Sequence, residues 1–120
     1  MWDGINRRRF PRADYPCQIK ISKKKGKETL VSNTENVGCG GICTVLEKGL
    51  GLFSDVSLEL DIKDSQPPIK TVGTVVWVVR RHEIKKERPG FFDTGIEFKK
   101  LDAKDVARIE AIVNKCLQKQ

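Results

Sequence analysis

The segment Arg7-Arg8-Arg9-Phe10-Pro11-Arg12 places four guanidiniums within six residues, and Pro11 keeps it from running on as ordinary helix or central strand. A guanidinium offers a planar fork of donors that grips a phosphate, or the edge of a guanine, through two parallel bonds, where an ammonium offers a point charge. The residues suit an anion and purine grip. A second stretch, Asn36-Val37-Gly38-Cys39-Gly40-Gly41, holds three glycines in four positions just before an apolar run at Ile42. Glycine lets a ligand approach the backbone, permits positive φ and leaves amide donors exposed, as a loop around a phosphate or base requires. Each stretch has an ordinary reading as well: a solvated basic arm for the first, a tight turn between strands for the second.

Other chemistry is absent from the pattern. The single histidine, His82, stands in a charged run, and neither a nucleophile-elbow motif nor a phosphate-loop lysine motif occurs. No carboxylates have metal-ligand spacing, so the chain reads as a binding module rather than an enzyme, with no cofactor. Four cysteines, Cys17, Cys39, Cys43 and Cys116, include no C-x-x-C pair, and Cys39 and Cys43 lack a second pair to complete a zinc site. Reduced, mostly core cysteines are expected, which fits a cytoplasmic location. No apolar run approaches the roughly 18 residues of a membrane span, and residues 1–6 do not resemble a signal peptide. The net charge of +7 and pI near 9.4 favour an acidic partner such as a nucleotide, nucleic acid or anionic surface.

The elements that must position these residues are mostly strands. Residues 17–22 alternate apolar and polar, 23–27 read as a hairpin tip, and 28–32 pair back on the first strand. Residues 33–41 are the glycine loop, 42–46 return to strand composition, and 47–54 form a turn. Val56, Leu58, Leu60 and Ile62 alternate with Ser57, Glu59 and Asp61, so the polar set must face water. A long β-branched run over 69–81 is expected to be a central strand, with Trp77 as a core aromatic; the base-stacking role open to an exposed indole is the alternative. Residues 82–90 are an exposed loop, and 91–98 another strand with Gly95 at a bulge or close approach. Asp102 and Asp105 mark a helix start, and Val106, Ile109, Val113, Cys116 and Leu117 recur at helical spacing. The expected fold is all-β: a small, six- or seven-stranded antiparallel barrel closed by a C-terminal α-helix. Leu58, Leu60 and Ile62 would meet Val76, Val78, Ile96 and Phe98 inside it. Residues 7–120 form one domain, and residues 1–6 a flexible lead-in.

Together the two stretches resemble the PilZ domain, a bacterial receptor module for cyclic di-GMP. Its marks are an R-x-x-x-R pair, a D/N-x-S-x-x-G motif and a small β-barrel. Arg8 and Arg12 fit the first, Asn36, Gly38 and Gly41 occupy positions of the second, and residues 73–77 and 93–98 are similar to the family's late strands. The motif serine is Gly38 here, so one hydroxyl near the ligand is missing. The resemblance implies that Arg8 and Arg12 hold phosphate and a guanine edge, with Arg9 as a further phosphate contact. Asn36 would reach the base, and the backbone at Gly38, Gly40 and Gly41 would lie against the ligand. In the family an arginine before the first motif arginine goes with two intercalated ligands, a place that Arg7 holds. The ligand would order the N-terminal arm and so signal to a downstream protein. The alternatives are a degenerate scaffold of this fold that binds only protein, and a sequence-tolerant nucleic-acid binder. The second lacks the exposed aromatics that a polynucleotide track needs.

Overall fold

The computed structural model describes residues 12–23, 28–81 and 91–118. In chain order these form β1 (Arg12–Ala13), β2 (Gln18–Lys23), β3 (Thr29–Gly38), β4 (Gly41–Leu46), β5 (Asp55–Asp61), β6 (Ile69–Arg81), β7 (Phe91–Phe98) and α1 (Ala103–Gln118). The strands lie in the order β1-β3-β2-β5-β6-β7-β4, and a further pairing of β3 with β4 closes β2 to β7 into a six-stranded antiparallel barrel. The extra strand, β1, pairs with the last residues of β3. Alternation explains the interior: Val56, Leu58 and Leu60 of β5 are buried together with Ile19 and Ile21 of β2 and Ile96 of β7.

The helix begins as the sequence suggests. The Asp102 carbonyl accepts from the amides of Asp105 (2.9 Å) and Val106 (3.0 Å), and Ile109 and Val113 are buried on the barrel side. Leu117, expected on that face, is instead exposed. An arginine fork fixes the helix laterally: Arg108 Nε donates to Asp64 Oδ2 at 2.6 Å and Nη2 to Asp64 Oδ1 at 2.7 Å, while Nη2 also reaches the Pro67 carbonyl at 2.8 Å. That bidentate bond holds the Asp64 carboxyl below the usual carboxylate range. All four cysteines are free, with Cys17 and Cys43 buried and Cys39 and Cys116 half-buried.

Three expectations need correction. Residues 33–38 are strand, not loop: β3 continues to Gly38 and only Cys39 and Gly40 make the turn. Polar Asn33, Glu35 and Asn36 face outward on a barrel wall, which takes polar residues on one side. Val75 rather than Val76 fills the interior, because the β6–β7 register shifts between Val75 and Trp77. The same shift turns Trp77 out of the core: it is half-buried, and its indole lies where a side chain on Gly95 of β7 would be.

Candidate functional site: an outer face of the barrel

The two motif stretches meet. Arg12 pairs with Gly38 and Ala13 with Val37 in the β1–β3 ladder, and Arg12 Nη1 donates to Asn36 Oδ1 at 3.3 Å across 24 positions of sequence. Directly paired residues share a face of a sheet, so the ladders can be followed strand by strand. Arg12, Gly38, Gly41, Glu97, Thr74 and Asp55 form one row across β1, β3, β4, β7, β6 and β5. Asn36, Cys43, Gly95 and Trp77 form a second. Between them runs Ala13, Val37, Ile42, Ile96 and Val75, all buried in the core. The first two rows therefore lie on the outside of the barrel.

Glycine has a steric reason on this face. A Cβ on Gly41 would sit 2.2 Å from the Ile96 carbonyl oxygen, so only glycine lets β4 begin this close to β7. A Cβ on Gly95 would sit 2.1 Å from Trp77 Nε1, so the bare backbone there seats the indole. The dihedral reason does not apply, because no described glycine has a positive φ. The Cys39–Gly40 turn is consequently not of the primed types that most two-residue hairpins use. The Gly40 carbonyl accepts from the Phe98 amide at 2.9 Å, tying the turn to β7.

Charges of both signs share the face. The Cys43 thiol donates to Glu35 Oε1 at 3.8 Å. Burial, and then the carboxylates of Glu35 and Asp93, push this thiol up to about 11, with Arg12 pulling the other way. Cys43 therefore stays protonated near neutral pH and is not a nucleophile. Among the described residues no cluster of histidine, cysteine and acidic side chains can hold a metal ion.

Of the residues singled out in the sequence, the structure brings Arg12, Asn36, Gly38 and Gly41 together on this face, with Gly40 half-buried in the adjoining turn. Arg7, Arg8 and Arg9 lie outside the described residues, as does the lead-in 1–6. Of two neighbours, the sequence reads Trp77 as a core aromatic, with base stacking as the alternative, and does not single out Glu97, since the register that aligns them with Asn36 and Arg12 is not visible in it. A shallow hollow elsewhere, on the outer face of β2, β5 and β6 beside Lys20, Ser57, Lys70 and Val72, contains no motif residue.

A closed antiparallel barrel carries an arginine and an Asn-x-Gly-x-x-Gly hairpin on one outer face. The chain belongs to the PilZ domain family, whose family model matches residues 6–115. No curated protein sequence matches the chain. Among solved structures it is similar to the Bacillus subtilis inhibitor of motility MotI/DgrA (21% identity, TM-score 0.70, 95% of this chain and 51% of that one). It is also similar to the PilZ domain of Escherichia coli YcgR, solved with c-di-GMP (15% identity, TM-score 0.72, 94% and 93%). A third is the K. pneumonia MrkH–c-di-GMP complex (19% identity, TM-score 0.70, 94% and 53%). The chain thus spans about half the length of the MotI and MrkH chains.

Proposed function

We propose that this domain is a cyclic di-GMP receptor, a binding module rather than an enzyme, which captures its ligand on the outer barrel face and signals to a partner protein by ordering its N-terminal arm. The observation that carries this reading is the contact between Arg12 and Asn36, which joins the two motifs on one surface. Arg8 and Arg12 supply forks for phosphate and the O6/N7 edge of a guanine, with Arg9 as a further phosphate contact. Asn36 reaches the base, and the backbone of Gly38, Gly40 and Gly41 lies against the ligand. Trp77, half-exposed over Gly95, offers an indole face to a base on the same surface. The three related structures include two whose proteins hold c-di-GMP, which supports the ligand assignment. A cytoplasmic setting fits the four free thiols.

The test is a calorimetric titration with cyclic di-GMP, with GTP and the linear dinucleotide as controls. Binding of the cyclic ligand alone supports the reading. Saturation at two ligands per chain, falling toward one in Arg7→Leu, is expected if Arg7 engages a second, intercalated molecule; saturation of the parent at one rules that out. No binding by the parent or by Gly38→Ser leaves the protein-only scaffold, the reading favoured by the missing hydroxyl at Gly38.

A further inference from the structure

We infer that Glu97 is a specificity residue that reads the Watson–Crick edge of a bound guanine opposite Arg12; the inference rests on the cyclic di-GMP reading above. Guanine has acceptors, O6 and N7, on one edge and donors, N1–H and the 2-amino group, on another. Arg12 has only donors and can satisfy only the first edge. The second needs an acceptor with capacity to spare. Asn36 has a single acceptor oxygen, which also accepts from Arg12, where the edge presents two parallel donors, and both oxygens of the Asp55 carboxylate are taken, by Thr74 and Lys99 at 2.9 and 3.0 Å. Glu35 takes the Cys43 thiol and a further partner, and Asp93 is engaged and has its Oδ1 buried away from solvent. Glu97 is exposed, and its side chain has no hydrogen bond or ion pair among the described residues. Its neighbour two positions on, Lys99, is committed to Asp55.

Placement supports the pairing. Glu97 stands in Arg12's own row, separated from it by Gly38 and Gly41. Three inter-strand steps put the two Cα atoms about 14 Å apart, a gap that one purine with a hydrogen-bonded side chain at each end fills. No side chain stands between them in the row. The two carboxylate oxygens of Glu97 match the parallel N1–H and 2-amino donors as a bidentate acceptor. Adenine presents an acceptor at N1 and lacks the 2-amino group, so the same carboxylate repels it.

A solvated carboxylate with no part in recognition makes the opposite prediction, since a negative charge facing a dianionic ligand weakens binding and its removal tightens it. The experiment titrates the full chain and Glu97→Ala with cyclic di-GMP and with cyclic di-IMP, which lacks only the 2-amino groups, at constant ionic strength, and records thermal midpoints alongside. The parent is expected to bind cyclic di-IMP roughly tenfold more weakly than cyclic di-GMP. Glu97→Ala should lose about tenfold or more for cyclic di-GMP and bind both ligands alike. Its midpoint should stay near that of the parent, because the side chain is exposed. Equal or tighter binding of cyclic di-GMP by Glu97→Ala overturns the inference, as does weaker binding that keeps the preference over cyclic di-IMP. A parent that fails to bind cyclic di-GMP overturns the receptor reading itself, whereas a parent that binds and a variant that matches it overturn the Glu97 role alone.

Discussion

Replacing Arg12 separates a binding role from a structural one, because the two roles use different atoms. The backbone at Arg12 and Ala13 pairs β1 with Gly38 and Val37, and alanine retains that ladder. The side chain's 3.3 Å bond to Asn36 is long for a nitrogen donor and joins half-buried groups, so its loss costs about 1 kcal/mol. For a domain of this size the midpoint of Arg12→Ala should then fall by about 5 °C or less. Ligand binding stands to lose far more. Two charge-assisted bonds to a phosphate or to guanine O6 and N7 contribute about 1.5 to 3 kcal/mol each. The dissociation constant should rise at least about tenfold for one lost bond and beyond about a hundredfold for both. Arg12→Lys keeps the charge without the fork and should recover only a minor part of the loss. Calorimetry with cyclic di-GMP at fixed salt, paired with a thermal melt of each free protein, reads both quantities. Arg12→Ala binding within twofold of the parent refutes the grip, and Arg12→Lys binding as tightly as the parent reduces it to a point charge.

Two further outcomes follow from local geometry. Gly38 does not have a positive φ, so serine fits the backbone there; Gly38→Ser should tighten cyclic di-GMP binding about two- to tenfold at unchanged midpoint, and weaker binding with a lowered midpoint would show a strained turn instead. Arg108→Leu should cost about 2 kcal/mol at neutral pH by releasing Asp64, whose side chain is 19% exposed. Because the folded Asp64 carboxyl lies below its ordinary range, its contribution is present above the unfolded value near 3.9 and disappears as pH falls through the folded one. The gap between parent and Arg108→Leu should therefore narrow only in strong acid, to what the bond to the Pro67 carbonyl still contributes, and a gap that does not change with pH would show that the Asp64 pair adds nothing.

Much of the barrel was legible because alternation is a direct statement about faces. Val56 to Ile62 needed no partner strand to declare which side is buried, and the helix start at Asp102 and its seam of Ile109 and Val113 were equally plain. Polar residues that are buried were not legible. Thr34, Thr44 and Thr94 lie inside the barrel in one paired row, where composition suggests they belong outside. Each hydroxyl donates to a main-chain carbonyl, of Tyr15 at 2.7 Å, Asn33 at 2.9 Å and Phe92 at 3.2 Å respectively, which removes the penalty for burial. A sequence shows the hydroxyl but not the carbonyl it will find. Glu35 and Asn36 misled for the same reason in reverse, as polar residues in a strand that looked like loop.

The site shows where motif reading stops. The arginine and glycine motifs name residues, but the face is set by register, and two irregularities decide it. In β3 the shift between Thr34 and Asn36 keeps both Thr34 and Val37 inside, so that Glu35 and Asn36 point outward together. In β6 the shift between Val75 and Trp77 pairs the indole with Gly95; an unbroken ladder from Val75 opposite Ile96 would have paired Trp77 with Thr94 and driven it into the core. Neither shift is marked by a glycine or proline within the strand segment it bends. Both place on the outer face a side chain that strict alternation counted from the other end of its strand would bury. Asn36 and Trp77 were both present in the sequence, and it is the extra residue in each strand that gathers them on the face of Arg12.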